Sequence, residues 1–74
     1  MTYTNLITRI LATSSGTEFI IKDLFTGLEW NNIPVANRRS WGTRLLSEVQ
    51  DGVYLKDIAA LNKTSANAQR YRRL

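Results

Sequence analysis

PVANRRSWGTRLLSEVQDG, residues 34–52, decides how this chain is organised. Proline suits the first turn of a helix, where no amide hydrogen is needed, and Asp51-Gly52 is a stop signal. The spacing therefore predicts a helix from Pro34 to about Gln50. At about 100° per residue, Val35, Trp41, Gly42, Leu45, Leu46 and Val49 share one side and form the expected core stripe. Opposite lie Ala36, Ser40, Thr43 and Ser47, with Arg39 on one border and Asn37 and Arg44 on the other. Ser and Thr are mediocre helix formers, and no packing demand calls for them on an outer face. Such short side chains let another surface come close, although surface drift accounts for the same letters without a partner. Arg38 falls on the apolar side; it either clears the core towards a phosphate or pairs with an acid such as Glu29.

Before this helix, residues 3–14 place Tyr3, Leu6, Ile7, Ile10 and Leu11 on one face of a first helix, with Thr2 or Thr4 as its cap and Ser14-Ser15-Gly16 as its end. Phe19-Ile20-Ile21 suits a brief strand. Lys22 to Phe25 either continues that strand or begins a short helix with Asp23 as a candidate cap, and Gly27 breaks the element. Leu28, Trp30 and Ile33 are expected as core anchors.

Beyond Gly52, VYLKDIAAL reads as an extended segment with Val53, Leu55, Ala59 and Leu61 on one face, interrupted by Asp57. NKTSAN supplies a turn and AQRYRRL the returning strand. Tyr71 either packs on the core side of this hairpin or stacks on a base. The expected architecture is one α+β domain spanning residues 1–74, with three helices, a short strand and a C-terminal β-hairpin.

Composition narrows the chemistry. The 74 residues hold no cysteine and no histidine, which removes disulfide staples, thiolate nucleophiles and the usual metal ligands. The six carboxylates show no spacing that suggests acid–base work, and the glycines form no phosphate-cradling loop. Neither an enzyme nor a cofactor or metal protein is expected. No apolar run reaches membrane-spanning length and no signal-peptide layout opens the chain, so a cytoplasmic protein is expected.

The net charge of +4 is unevenly placed. Residues 1–33 carry Arg9 and Lys22 against Glu18, Asp23 and Glu29, a net of −1; residues 34–74 carry eight basic residues against Glu48, Asp51 and Asp57, a net of +5. A polyanionic partner for the C-terminal half follows from that asymmetry, although solubility alone accounts for a mildly basic protein.

The order of elements resembles the winged helix-turn-helix family of nucleic-acid-binding domains. The resemblance implies that a short helix lies within residues 22–30, that the Pro34–Gln50 helix enters the major groove and that NKTSAN is the tip of a wing. A second resemblance rests on letters: IKDLFTGLEW, IP, an arginine-rich helix with EVQDG, and KTSANAQRYRR are similar to a family of short uncharacterised proteins from Gram-positive bacteria and their mobile elements. It implies a bacterial or phage setting and no particular activity.

The expectation is a small DNA-binding transcriptional regulator that grips double-stranded DNA. Asn37, Arg38, Arg39, Ser40, Thr43 and Arg44 come from the helix, and Lys63, Thr64, Ser65, Asn67, Arg70, Arg72 and Arg73 from the hairpin. Asn, Ser, Thr and Arg hydrogen-bond base edges and phosphates, and a basic hairpin tip adds salt-sensitive affinity. Arg72-Arg73 also reads as a frayed, solvated tail. The competing expectation is a small protein-binding module, such as a phage or mobile-element modulator of a host factor, with Trp41 or Tyr54 as anchors. Single-stranded nucleic acid, stacked on Tyr54 and Tyr71, is a third reading. A homodimer through the amphipathic first helix is compatible with each.

Overall fold

Helix α1 (Tyr3–Leu11) leads into strand β1 (Glu18–Phe19) and a 3₁₀ turn (Ile21–Leu24). Helices α2 (Gly27–Asn32) and α3 (Val35–Gln50) follow, and strands β2 (Ile58–Ala60) and β3 (Tyr71–Arg73) close the chain. The computed structural model describes residues 1–74. The element order is the α+β arrangement expected above. One antiparallel sheet forms in the order β1-β3-β2, so the last strand is the central one.

At the start of α1, the Thr2 hydroxyl accepts the Asn5 N–H at 3.3 Å while the Asn5 carboxamide oxygen accepts the Thr2 N–H at 2.8 Å. That reciprocal cap makes Thr2, not Thr4, the N-terminus of the helix. The helix stops short of residue 14. The Thr13 hydroxyl and N–H both donate to the Ile10 carbonyl, at 2.6 and 3.0 Å, which closes the last turn locally.

The expected short helix at 22–30 divides in two. Asp23 does act as a cap, accepting the Ile20 N–H at 3.0 Å, but the turn it stabilises ends at Leu24. Gly27 begins α2 instead of breaking it. Thr26 and Glu29 form a capping box, with bonds of 2.9 and 3.1 Å, and the pattern T-x-x-E that marks such a cap was present in the letters TGLE. Because α2 starts there, Leu28 points outward and is 79% exposed, contrary to its expected role as an anchor. Phe25 and Ile33 are the buried residues at the two ends of this segment.

Helix α3 begins at Val35 with Pro34 as its cap residue, and Gly52 at φ +81° ends it, its N–H on the Val49 carbonyl. Trp41 and Leu45 are buried, with Leu46 and Val49 packed against the core. Val35, assigned above to the core stripe, is 52% exposed at the first position of α3. Leu6, Ile10, Leu45 and Tyr71 are fully enclosed. The Phe25 and Trp41 rings stack at 6.1 Å, and those of Phe19 and Tyr71 at 5.8 Å. Each such side chain contributes about 1.5–3 kcal/mol of apolar burial.

Residues 51–57 differ most from expectation. They coil into turns, with the N–H groups of Asp57 and Ile58 both 2.9 Å from the Tyr54 carbonyl. The strand is only Ile58–Ala60, and its buried residue is Ile58, the opposite parity from Val53, Leu55, Ala59 and Leu61. Turns spend residues without keeping the two-residue alternation of a strand. Val53 and Leu55 are therefore exposed.

Candidate nucleic-acid interface

The outer face of α3 behaves as its letters predict. Asn37, Arg39, Ser40, Thr43 and Arg44 are all exposed, so none is consumed by the protein's interior. What the fold adds is a second wall. The turn between β2 and β3 folds back beside α3, and an open groove of about 590 Å³ runs between them. Arg39, Gly42, Thr43 and Leu46 line it from the helix, and Lys63, Asn67 and Gln69 from the hairpin.

The hairpin wall is positioned by backbone bonds. Leu61 N–H donates to the Arg70 carbonyl at 2.8 Å, and Thr64 N–H donates to the Ala68 carbonyl at 2.8 Å. The Thr64 hydroxyl accepts the Ala68 N–H at 3.1 Å, so this expected contact residue shapes the turn. Asn67 holds φ +64°, a left-handed conformation that asparagine tolerates better than most residues. Gln69 donates its amide hydrogens to the Leu61 and Arg70 carbonyls, which fixes its side chain against the hairpin. Ser65 is exposed at the turn and does not line the groove.

The other cations are distributed differently from the sequence expectation. The Arg70 and Arg72 guanidiniums both bind the Glu18 carboxylate, at 3.1 and 2.7 Å, because Glu18 lies opposite Arg72 in the β1–β3 register. Those bonds, Arg72 foremost, hold the Glu18 carboxyl below the usual carboxylate range. Arg73 lies 3.6 Å from the Asp57 carboxylate and also donates to the Asp57 and Leu74 carbonyls, so it is anchored and not a frayed tail. Arg44 sits over the Tyr3 ring at 4.0 Å and 3.6 Å from Glu48, whose carboxylate also accepts the Tyr3 hydroxyl. Burial, reinforced by that bond, pushes the Tyr3 phenol upward; burial likewise raises Tyr54.

Arg38 takes neither course left open for it. Its Nε donates to the Ile33 carbonyl at 2.9 Å and its guanidinium lies 4.9 Å from the Trp30 ring centre. Glu29 is occupied by Arg9, through bonds of 2.8 and 2.7 Å. The Arg9 bond and the Thr26 cap hold the Glu29 carboxyl down to about 2. Tyr71 is fully buried and cannot stack on a base.

Of the expected contact residues, then, the fold brings Arg39, Thr43, Lys63 and Asn67 to one groove. Neither Arg39 nor Lys63 has an ion-pair partner, and no carboxylate lines the groove. Sequence reasoning missed Gly42, Leu46 and Gln69 as lining residues. Leu46 was read as core, and nothing in the letters marks Gln69 as facing α3.

A family model of a domain of unknown function, DUF1413, matches residues 4–73. The chain belongs to that family. The match spans nearly the whole chain and agrees with the likeness to short uncharacterised proteins noted from the letters. It carries no activity with it, and no winged-helix family model is matched. No curated protein and no solved structure matches the chain. No helix is long and apolar enough to cross a membrane.

Proposed function

We propose that this DUF1413 domain binds nucleic acid, and double-stranded DNA in particular, as a small winged-helix-like regulator. The observation that carries the reading is the groove in which Arg39 and Lys63, both without acidic partners, face outward together with Thr43, Asn67 and Gln69. Unpaired cations beside short polar side chains suit phosphate and base-edge contact. A helix of 16 residues, about 10–12 Å across with its side chains, fits a major groove about 12 Å wide. The order helix, strand, helix, helix, hairpin supports the winged-helix likeness.

A salt-series titration on mixed-sequence duplex DNA tests this. The logarithm of affinity falls linearly with the logarithm of salt, with a slope of about −0.9 per phosphate neutralised. Arg39→Ala and Lys63→Ala each shallow the slope by about one unit. Arg44→Ala does less, since Arg44 is held by Glu48 and Tyr3. Absence of duplex binding at low salt refutes the reading.

A protein-binding role has its own support in the exposure of Leu28 and, on one turn segment, of Val53 and Leu55. Duplex DNA that leaves such an interaction undisturbed favours that second reading.

A further inference from the structure

The cationic groove has an apolar neighbour. A smaller cavity of about 250 Å³ is walled by Ile20, Ile21, Trp30 and Ala68, and Gly42 and Gln69 line both this cavity and the groove. The two adjoin there as one trough, cationic at the end of Arg39 and Lys63 and apolar at the end of Trp30. The Trp30 ring is held in that wall by Phe25, with 6.1 Å between ring centres, and by the Arg38 guanidinium at 4.9 Å. Gly42 marks the junction. Glycine inside a helix weakens it relative to alanine, and nothing within the monomer calls for it. Its φ is not left-handed, and a Cβ would meet no atom within 4 Å. What the missing side chain leaves is open space, at the one residue of α3 that lines both cavities.

We propose that the trough receives one unpaired nucleotide of the bound nucleic acid, an inference that rests on the nucleic-acid reading above. The base lies in the apolar cavity against Trp30, and its flanking phosphates lie in the groove on Arg39 and Lys63. A dry cavity of about 150 Å³ already accepts benzene, so about 250 Å³ has room for a base. A nucleotide joins a flat ring with apolar faces to an anionic backbone. The trough joins an apolar end to a cationic one, and no carboxylate lines either part. A base inside a stacked duplex cannot enter, because its neighbours cover its faces; an unpaired base brings a free face to the indole.

Titrations with duplexes of one sequence test this: fully paired, with a single bulged adenine, and with a single bulged abasic residue. The abasic bulge keeps the phosphates and the flexibility and lacks only the base. The adenine bulge binds about tenfold tighter than the abasic one. In heteronuclear NMR the Trp30 indole N–H signal moves with the adenine bulge and stays near its free position with the abasic one. Trp41 is buried and lines neither cavity, so its signal is the reference. Gly42→Leu, which puts a good helix former in place of glycine, fills the junction and abolishes the preference for the adenine bulge. Arg39→Ala weakens both bulged duplexes alike. Equal binding of the two bulges, an unmoved Trp30 signal, or a preference kept in full by Gly42→Leu overturns the proposal; paired-duplex binding that persists leaves the nucleic-acid reading standing. Adenosine monophosphate binding as tightly as the adenine bulge also overturns it, because the ligand is then a free nucleotide. No binding of any duplex at low salt refutes both.

Discussion

Replacing Tyr71 by Phe removes a single oxygen from the central strand, and the structure predicts that the free protein becomes more stable. The ring keeps its stack on Phe19, and β3 keeps its pairing with β1 and β2. What disappears is a buried hydroxyl without a partner. Such a group costs about 1–3 kcal/mol of desolvation; the small void left by the oxygen returns part of this, so a net gain of about 1 kcal/mol is expected. Unfolding entropy of about 2.1 cal/mol/K per residue, over 74 residues, makes that a rise of about 6 °C in Tm. Thermal unfolding followed by circular dichroism, with a urea series beside it, measures the change. The alkaline limb gives a second reading. Burial pushes the Tyr71 phenol up to about 12, against about 10 in an unfolded chain. A raised phenol contributes stability that is fully present below about pH 10 and is lost as pH rises towards 12. Tyr71→Phe removes that share of the alkaline loss, while the share due to Tyr3 stays. A fall in Tm of about 3 °C or more, half the size of the expected rise, refutes the reasoning, because it means the hydroxyl is satisfied in the folded state.

Leu45→Ala empties the centre of the core and is expected to cost about 2–5 kcal/mol, a large part of the roughly 4–11 kcal/mol available to a domain of this size. Val35→Ala, one helix face away, changes stability by no more than about 0.5 kcal/mol; paired denaturant curves check both. Glu29→Gln flattens the acid limb of stability against pH. The carboxyl held at about 2, against about 4.3 unfolded, contributes stability present above about pH 4.3 and lost as pH falls towards 2. A Tm-versus-pH series in which parent and Glu29→Gln curves run parallel through that window contradicts the Arg9–Glu29 clamp.

Helix α3 was readable from its letters because two local signals, Pro34 at the start and Asp51-Gly52 at the end, frame a 3.6-residue pattern that needs no distant partner. The same holds for α1 and for the order of the elements. The hairpin was readable as a turn but not as a register. Whether residues 53–57 form strand or turns depends on where Tyr54's carbonyl finds its donors, and that choice sets the parity that buries Ile58 and exposes Leu55. Leu28 failed for a similar reason: apolar character was read as burial before the start of α2 was known.

Sequence by itself determined the α+β class, the outward face of α3 with Ser40 and Thr43, and the exclusion of thiol and imidazole chemistry, because each follows from residue type and short-range spacing. Only the tertiary structure decided which cations remain free. Glu18 is 52 residues from Arg70 along the chain, yet strand pairing sets it beside both Arg70 and Arg72, while Arg9 claims Glu29. Coulombic pairing depends on distances across the fold, which charge counts along a chain do not contain. The same folding-back of the hairpin set Lys63 and Asn67 opposite Arg39 and Thr43, and so made a groove from two faces that the letters showed separately.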